Sequence, residues 1–489
     1  MTFNSDQIIQ EVHKEFEQML DFVTNEAAYT ATADQIERGL FKRLLQMGYQ
    51  LLCLFFELRS QASSRDPYQT AEGQTLPYHR DSQRTYLTLY GKVPIWRPYF
   101  YRQGVGSACP LDAELSLGED RYSNMVCELT EYLGVYGAYH KAVEMMERMF
   151  GVRLSTRTLQ EHIVQDAADV TAYYEQQAPP LAATEAEVLV IQADGKGVPI
   201  IKATTTESPV RLSKGQKRGR KKEAIVTTAY TIAAAPRTAD AVLDNYYKLS
   251  EVPEPDPATR SGPQNKRVWA TLEGKDTALE RLVQQVMARN GVHIQHRVAL
   301  CDGCAALQTR ITHYFPDFTQ ILDFIHANEY LWDVANALLG ENSAERLPWM
   351  VAHTRQLLTG QAQAVIDELR LRSCAPGTTA AQQEQLNKTA NYFERNLPYM
   401  DYAAYLAQGW PIASGVIEGA CRHFVKDRCE LSGMRWSQLG AEQLLHLRAV
   451  AENDDWDAYH DFRRRARHQR LYDQPYPEYG ALESWALAA

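Results

Sequence analysis

Three short apolar runs, each ending in an acidic residue, constrain this chain more than any other feature of its sequence. Two of the runs are rich in β-branched and aliphatic residues, and they lead to Asp194 and Asp302, each followed by glycine. Such a run predicts a buried strand that carries a carboxylate to the edge of a sheet. The third run, residues 414–417, leads to Glu418 and predicts the start of a helix. A single Asp-Gly pair is more often a turn, but three acidic run ends together indicate a shared site.

The order of the predicted helices and strands limits the fold classes that the chain can adopt. Residues 5–63 have helical periodicity, and residues 340–408 are again helical. Between them we predict strands at 188–193, 198–202, 224–232, 298–301 and 318–323, with a helix at 274–290. Three antiparallel strands followed by a crossover to further strands are the order expected of an RNase H-like sheet. The predicted fold class is therefore α+β or α/β, with an RNase H-like mixed-sheet catalytic core, a helical insertion and a mainly helical N-terminal region.

These patterns divide the chain of 489 residues into six segments, a length that suits several domains. They are a helical N-terminal region (1–80), a β-hairpin plus helix-turn-helix-like DNA-binding region (81–180), the first part of the catalytic core (181–339), the helical insertion (340–408), the last part of the core with a basic helix (409–470) and a C-terminal tail (471–489).

The helix-turn-helix prediction rests on residues 139–168. An amphipathic helix stops at Gly151, and Ser155 then caps a second helix over 156–168. Arg157 and Gln160 fall early on the second helix, where base contacts are made in such motifs. A helical hairpin without any DNA-binding role has the same pattern, so both interpretations stay open.

The formal net charge of −10 speaks against nucleic-acid binding when it is taken alone. The basic residues are grouped, however, and binding depends on where charge is concentrated. We predict DNA contacts from a basic loop (Lys214, Lys217, Arg218, Arg220, Lys221 and Lys222) and from a group after Glu418 (Arg422, Lys426, Arg428 and Arg435), with Trp436 stacking on an unpaired base. A solvated surface is the alternative for each group. A further group lies at 463–470.

The cell compartment follows from simple patterns. No apolar stretch is long enough to cross a bilayer, and the first residues lack the basic start of a signal peptide. The eight cysteines are scattered, which argues against a disulfide framework. We therefore expect a cytoplasmic protein that does not enter membranes.

The acidic residues suggest metal-dependent phosphodiester chemistry. Two Mg²⁺ or Mn²⁺ ions held by carboxylate oxygens can activate an attacking hydroxyl and stabilise the leaving oxygen. Aspartates at strand ends hold their position because their side chains are short, and a glutamate on a helix has the reach to complete the set. Asp194, Asp302 and Glu418 are far apart in the sequence, so only the fold can bring them together.

These residues carry a family resemblance that spans roughly residues 85–450. The chain resembles the ISKra-type insertion-sequence transposases, a branch of the DDE transposases related to the Mutator group. The matching pieces are Asp194-Gly-Lys-Gly-Val-Pro199, Pro236-Arg-Thr238 after the basic loop, Cys301-Asp-Gly303, residues 321–332 with Asp323 and His326, Ser414-Gly-Val-Ile-Glu418, and Gly433-Met-Arg-Trp-Ser437, with the hairpin at Gly91 and Pro110-Leu-Asp112 upstream.

The resemblance implies roles for particular residues. Asp194, Asp302 and Glu418 would bind the metal ions and His326 would assist catalysis beside them. The implied activity is binding of terminal inverted repeats, metal-dependent cleavage of DNA and strand transfer to target DNA. The implied partners are double-stranded DNA and further copies of the chain, as a homodimer or higher homo-oligomer.

Two departures and two alternatives accompany this interpretation. Residues 101–109 contain one cysteine where relatives have a pair, which speaks against a small zinc site there. Cys301 and Cys304 form a CxxC pattern around Asp302, so a redox or zinc role would compete with the acidic site. The alternatives to a transposase are an inactive or domesticated DNA-binding protein and a metal-dependent nuclease of the same fold.

Overall fold

The computed structural model describes residues 5–201, 221–249, 262–431 and 433–477. The chain forms two compact units. The first contains Met1–Tyr173 and Asp455–Ala489, and the second contains Tyr174–Asp454. Residues 455–470, which the sequence suggested as part of the catalytic core, therefore lie in the first unit.

The helices account for most of the regular structure. In the first unit and its return segment they are α1 (Ser5–Thr24), α2 (Ala33–Ala62), α3 (Pro110–Glu114), α4 (Asn124–Tyr136), α5 (Tyr139–Phe150), α6 (Thr156–Asp166), α7 (Val170–Gln176, which runs into the second unit) and, last in the chain, α19 (Trp456–Tyr472). In the second unit they are α8 (Ala239–Tyr247), α9 (Lys275–Arg289), α10 (Ala305–Tyr314), α11 (Phe324–Leu339), α12 (Arg346–Leu358), α13 (Ala362–Ser373), α14 (Ala380–Asn396), α15 (Tyr402–Ala407), α16 (Gly415–Gly419), α17 (Asp427–Cys429) and α18 (Gln438–Glu452).

The strands form separate sheets in the two units. The first unit has β1 (Tyr68–Gln69), β2 (Thr75–Leu76), β3 (Tyr78–Thr88), β4 (Gly91–Arg102) and β5 (Gly106–Ala108). The second unit has β6 (Val188–Pro199), β7 (Lys221–Ile232), β8 (Gln264–Thr271), β9 (His296–Cys301) and β10 (Thr319–Leu322).

The first unit confirms several local predictions. β3 and β4 form the predicted antiparallel hairpin, and Gly91 lies at its turn. The helix before Gly151 ends there because that glycine adopts the left-handed conformation, with φ of 69°. The Ser155 side chain accepts a hydrogen bond from the Thr158 amide and starts α6. Helix, turn and capped helix are therefore present, with α6 two residues shorter than predicted.

The second unit is built on a five-stranded mixed sheet with the order β10-β9-β6-β7-β8. β9 is parallel to both β6 and β10, and β7 is antiparallel to both β6 and β8. The sequence predicted that three antiparallel strands come first in this unit, and the structure has three. Two of the predicted strands are in fact one, however, and another strand was missed. Residues 188–199 form one continuous strand, and the third antiparallel strand is β8, which the sequence pattern did not reveal.

Gly195 and Gly197 explain that error. Glycines inside an apolar run suggest a turn, but here they make room for side chains of the neighbouring strand. A Cβ on Gly195 would lie 2.4 Å from Glu223 Oε1, and a Cβ on Gly197 would lie 2.8 Å from Lys221 Cδ. The strand therefore runs on through both glycines.

Both faces of the sheet are covered by helices. Val190, Val298 and Ile321 pack on a core shared with α8 and α11–α15, and we call this side the insertion face. Ile191 and Ala299 point to the opposite face, which is covered by α9 and α10. Alternate residues of one strand therefore face different helices. Within the described residues, no helix combines the length and apolar character needed to span a membrane.

Candidate metal centre

Strand register places three aspartates at one level of the sheet. In the parallel pairing of β6 with β9, Gln192 lies opposite Leu300. In the pairing of β10 with β9, Leu322 lies opposite Cys301. Asp194 and Asp302 each lie two residues beyond the first pair, and Asp323 follows Leu322 directly. Because adjacent strands are about 4.8 Å apart, these three aspartates form one acidic edge, just beyond the point where the parallel pairing of β6, β9 and β10 ends.

Asp194 and Asp302 also lie on the same side of the sheet. By strand alternation, Asp194 belongs with Val190 on the insertion face, and Asp302 belongs with Val298. Asp194 is not at a strand end as predicted, because β6 continues past it in its pairing with β7. It lies instead where the parallel pairing with β9 ends. Both side chains are partly exposed.

Glu418 reaches this edge on the short helix α16. The Ile417 amide donates a 2.8 Å hydrogen bond to Gln192 Oε1, which fixes the helix to β6 two residues before Asp194. One helical turn before Glu418, the Ser414 hydroxyl lies 3.2 Å from Glu418 Oε1. The Cys421 thiol donates to Asp194 Oδ2 at 3.2 Å. Residues 414–421 therefore contact both carboxylates: Ser414 contacts Glu418, and Cys421 contacts Asp194.

Asp323 connects the strands to the Glu418 segment. Its side chain is fully buried and caps α11 by accepting from the Ile325 amide at 2.9 Å. It also accepts from the amide and the hydroxyl of Ser414. A buried carboxylate with this many donors holds its neighbours in fixed positions.

His326 lies beside the same carboxylate. Its Nδ1 is 2.8 Å from Asp323 Oδ2 and 3.9 Å from Glu418 Oε1. The hydrogen bond to Asp323 raises the pKa of His326 to about 9, against the opposing effect of burial. Asp323, His326 and Glu418 each offer one ligand atom, and the three atoms lie within 4.8 Å of one another, whereas Asp194 and Asp302 are not part of this group.

The loop that carries Asp302 is anchored by the helical insertion. The Tyr392 hydroxyl of α14 donates a 2.9 Å hydrogen bond to the Asp302 carbonyl oxygen. Arg395 donates to the Gly303 carbonyl at 2.9 Å. Asp302 Oδ1 in turn accepts from the Cys304 amide, which begins α10. The insertion therefore contributes directly to the position of one acidic residue.

The sequence did not reveal Ser414, Cys421, Gln192 or Tyr392 as supporting residues. Only Ser414 left a usable signal, since its spacing of four residues from Glu418 places both on one side of a helical turn. The other three act across elements that are distant in the chain, and no local pattern indicates them.

Several predicted DNA contacts after Glu418 need correction. Arg422, Lys426 and Arg435 are exposed, as a phosphate contact requires. Arg428 is fully buried, and its guanidinium lies 4.9 Å from the centre of the Trp436 ring. Trp436 is also buried and donates to the Cys429 carbonyl at 3.0 Å. The two side chains stabilise the protein interior, so the prediction that they contact DNA was wrong.

The segment that carries Arg422 and Lys426 is not a regular α-helix. Residues Ala420–Lys426 form a π-helix, which has wider turns than an α-helix. Positions four and eight residues after Glu418 therefore do not repeat along one line. Such π-helical segments occur frequently at functional sites.

Most of the predicted basic loop lies outside the described residues. This applies to Lys214, Lys217, Arg218 and Arg220. Lys221 and Lys222 are the first two residues of β7, and Lys221 forms an ion pair with Glu430. The loop therefore leads into the strand next to the one that carries Asp194.

The basic residues of the first unit have different roles. Arg157 and Gln160 are exposed on α6, where Arg157 is 2.8 Å from Glu161. In the group at 463–470, Arg463 is buried against Asp166, and Arg470 pairs with Asp169 at 2.7 Å. That group stabilises the unit, whereas Arg157 and Gln160 are exposed at its surface.

Both cysteines of the CxxC pattern around Asp302 pack with the core on the face opposite the acidic edge. Cys301 is buried on the face opposite the acidic edge, and burial raises the pKa of its thiol to about 12. A protonated, buried thiol is a poor metal ligand or nucleophile.

Neither a scan against models of protein families nor a search of curated proteins found a match to this chain.

Proposed function

We propose that this protein is a DDE-type transposase in which Asp194, Asp302 and Glu418 hold two Mg²⁺ or Mn²⁺ ions. The observation that supports the proposal is that Asp194 and Asp302 lie on one face of the sheet where its parallel pairing ends, and that the helix of Glu418 is hydrogen-bonded to β6 two residues before Asp194. Their donor atoms are carboxylate oxygens, which are the ligands that these two ions prefer. The centre is partly exposed, as a site for a polymeric substrate must be.

The sheet supports an RNase H-like core for the same unit. Three antiparallel strands come first in the chain and two parallel strands follow, with helices on both faces. The order β10-β9-β6-β7-β8 puts β6, the first strand, in the centre. The sequence expectation of this fold also rested on three antiparallel strands followed by a crossover, but it counted residues 198–202 as a strand in place of β8.

Each residue of the centre has a separate task in this proposal. When bound, the ions would activate the attacking water or 3′ hydroxyl and stabilise the charge on the phosphate. Asp194 and Asp302 provide rigid ligands from the sheet, and Glu418 closes the set from α16. His326 lies next to Glu418, and the hydrogen bond with Asp323 keeps that imidazole oriented.

Double-stranded DNA, both terminal inverted repeats and target, is the proposed substrate. Arg422, Lys426 and Arg435 are exposed in the segment that follows Glu418 and can contact phosphates. Arg157 and Gln160 on the helix-turn-helix can read bases. We also propose a homodimer or higher homo-oligomer on DNA, formed through the apolar surface of α1 and α2, and a cytoplasmic location.

The test uses purified full-length protein and DNA that carries the ends of the genetic element around the gene. Asp194→Asn, Asp302→Asn and Glu418→Gln should each abolish cleavage and strand transfer while binding in a gel-shift assay is kept. Asp317→Asn is the matched control, because this exposed aspartate precedes β10 at the opposite end of the strand from Asp323.

The outcomes separate the alternatives. Cleavage without joining of the 3′ end to target DNA would identify a nuclease. DNA binding without cleavage in the unmodified protein would identify an inactive or domesticated transposase. Normal cleavage by Asp302→Asn would overturn the proposed centre itself.

A further inference from the structure

Three helices of the first unit bring together a second set of metal-ligating side chains. Glu131 lies on α4, Asp166 at the end of α6 and His460 on α19. Their exposed fractions are 0%, 3% and 1%. Each offers one ligand atom, and the three atoms lie within 4.8 Å of one another.

Most polar atoms of this cluster have no hydrogen-bond partner among the described residues. They are both carboxylate oxygens of Glu131, Oδ2 of Asp166 and both ring nitrogens of His460. Leaving one buried polar group unsatisfied costs roughly 1–3 kcal/mol, and a charged group costs more. Native interiors contain few such atoms, so five in one place need a physical explanation.

The neighbouring arginines compensate only part of the negative charge. Arg463 forms an ion pair with Asp166 Oδ1, and Arg464 pairs with Glu128. Both carboxylate oxygens of Glu131 remain, together with Asp166 Oδ2 and the imidazole. These are the groups that face one another inside the cluster, and they need a cation or protons between them.

We propose that Glu131, Asp166 and His460 bind a divalent transition-metal ion of the Zn²⁺ type that stabilises the first unit. Two carboxylates and an imidazole are common ligands of Zn²⁺, whereas Mg²⁺ and Ca²⁺ prefer oxygen ligands alone. Glu131 has both oxygens available and can bind through either or both. Because the ligands are buried, the ion has a structural role and is separate from the acidic edge of the second unit.

A shared proton between Glu131 and Asp166 is the competing explanation. A protonated Glu131 would donate to Asp166, and no metal would be needed. Glu131→Gln distinguishes the two, because glutamine is close in shape to a protonated glutamate and keeps a donor but is a poor metal ligand. Under the shared-proton explanation this variant is as stable as the unmodified protein.

The experiment measures bound metal in full-length protein by mass spectrometry of the elements and thermal stability with and without chelator. All samples carry Asp302→Asn, so that ions bound at the acidic edge contribute less to the measured metal content and to the Tm. We expect one zinc-type ion per chain, a lower Tm after chelation, and recovery of Tm with Zn²⁺ but not with Mg²⁺. In Glu131→Gln the Kd for Zn²⁺ should rise by at least about tenfold.

Two further variants complete the test. Glu161→Gln, an exposed glutamate on α6, is the matched control and should bind the ion normally. His460→Gln should lose the ion even if Glu131→Gln fails to fold. The proposal is overturned if the unmodified cluster contains no metal and its Tm does not respond to Zn²⁺, or if Cys127→Ser in the neighbouring Asp120, Cys127 and His162 cluster loses the ion while Glu131→Gln keeps it.

Discussion

Gly303 is a single residue on which the position of Asp302 in the acidic edge depends. It follows Asp302 with a φ of 81°, and a Cβ there would lie 2.7 Å from the Tyr392 hydroxyl oxygen. Only glycine adopts this conformation easily and leaves room for the tyrosine that holds the Asp302 carbonyl.

We therefore expect Gly303→Ala to destabilise the second unit and to displace Asp302. The backbone conformation alone should cost about 1–2 kcal/mol, and the clash with Tyr392 adds to it. Gly377→Ala is the matched control, since its φ is 89° and a Cβ there would contact nothing within 4 Å. Denaturant unfolding of both variants measures the difference. Equal losses of stability would show that the Tyr392 contact has no effect.

Ser414 links Asp323, at the end of β10, to Glu418 on α16. Its hydroxyl bonds Asp323 and lies within reach of Glu418, so its removal loosens both. We expect Ser414→Ala to raise the Mg²⁺ concentration needed for half-maximal cleavage by about tenfold, as supporting groups of metal ligands do. Ser373→Ala, which removes a hydroxyl bonded to the Arg370 carbonyl and to the adjacent Cys374 at the end of α13, should leave the Mg²⁺ dependence unchanged. An identical Mg²⁺ dependence in both would contradict the linking role.

At the scale of elements, α18 supports the sheet through one carboxylate. Glu442 accepts hydrogen bonds from the Thr271 hydroxyl and the Leu272 amide, both at 2.6 Å, and from His446 at 3.0 Å. Burial alone would raise the pKa of Glu442, but the hydrogen bonds from these groups outweigh it and hold the pKa below its usual value. The end of the edge strand β8 is therefore attached to a helix that comes much later in the chain.

This lowered pKa gives a definite pH dependence. A depressed carboxyl pKa stabilises the fold above the unfolded value near 4.5, and that contribution is lost as the pH falls through the folded value. We expect the free energy of unfolding to fall with acidification below pH 4.5, and to fall less steeply in Glu442→Gln. Denaturant titrations at several pH values measure both slopes. The same slope in the two proteins would contradict the assignment.

Elements with a strong local signal could be predicted from the sequence, and those defined by distant partners could not. The Gly91 hairpin, the Ser155 cap and the helical insertion each follow from a few adjacent residues. The strand β8 was missed because its neighbours are supplied by β7 and α18. Likewise, the three acidic residues were visible as run ends, whereas the burial of Arg428 and Trp436 depends on packing that no local pattern encodes.

At the scale of the whole molecule, the proposed DNA binding would have to overcome a net charge of −10. Neutralising Arg422, Lys426 and Arg435 together should flatten the slope of log K against log salt by up to roughly three units, about one for each phosphate contact. Neutralising Arg38, Lys42 and Lys388 changes the net charge equally on exposed surfaces elsewhere and is the control. If the two triple variants change the slope equally, the binding surface lies elsewhere.

Self-association should depend on the helical hairpin of the first unit. Large apolar side chains are exposed on α1 and α2, including Phe16, Leu20, Phe41 and Leu44. Exposed apolar surface of this extent marks an interaction site, and a second copy of the same hairpin is the proposed partner. We expect Leu44→Lys to lower the molar mass measured by light scattering. Leu371→Lys, at an exposed leucine of α13, should not change it. An unchanged mass in Leu44→Lys would exclude this surface.

The return of α19 to the first unit has a consequence for protein synthesis. Domains generally fold as units while the ribosome adds residues from the N-terminus. Here the first unit lacks its closing helix until residue 472 has been made, and the second lacks Glu418 until most of the chain exists. A premature stop codon anywhere before α19 therefore leaves the first unit without Arg463 against Asp166. Partial translation products should therefore be recognised by cellular proteases as incompletely folded chains.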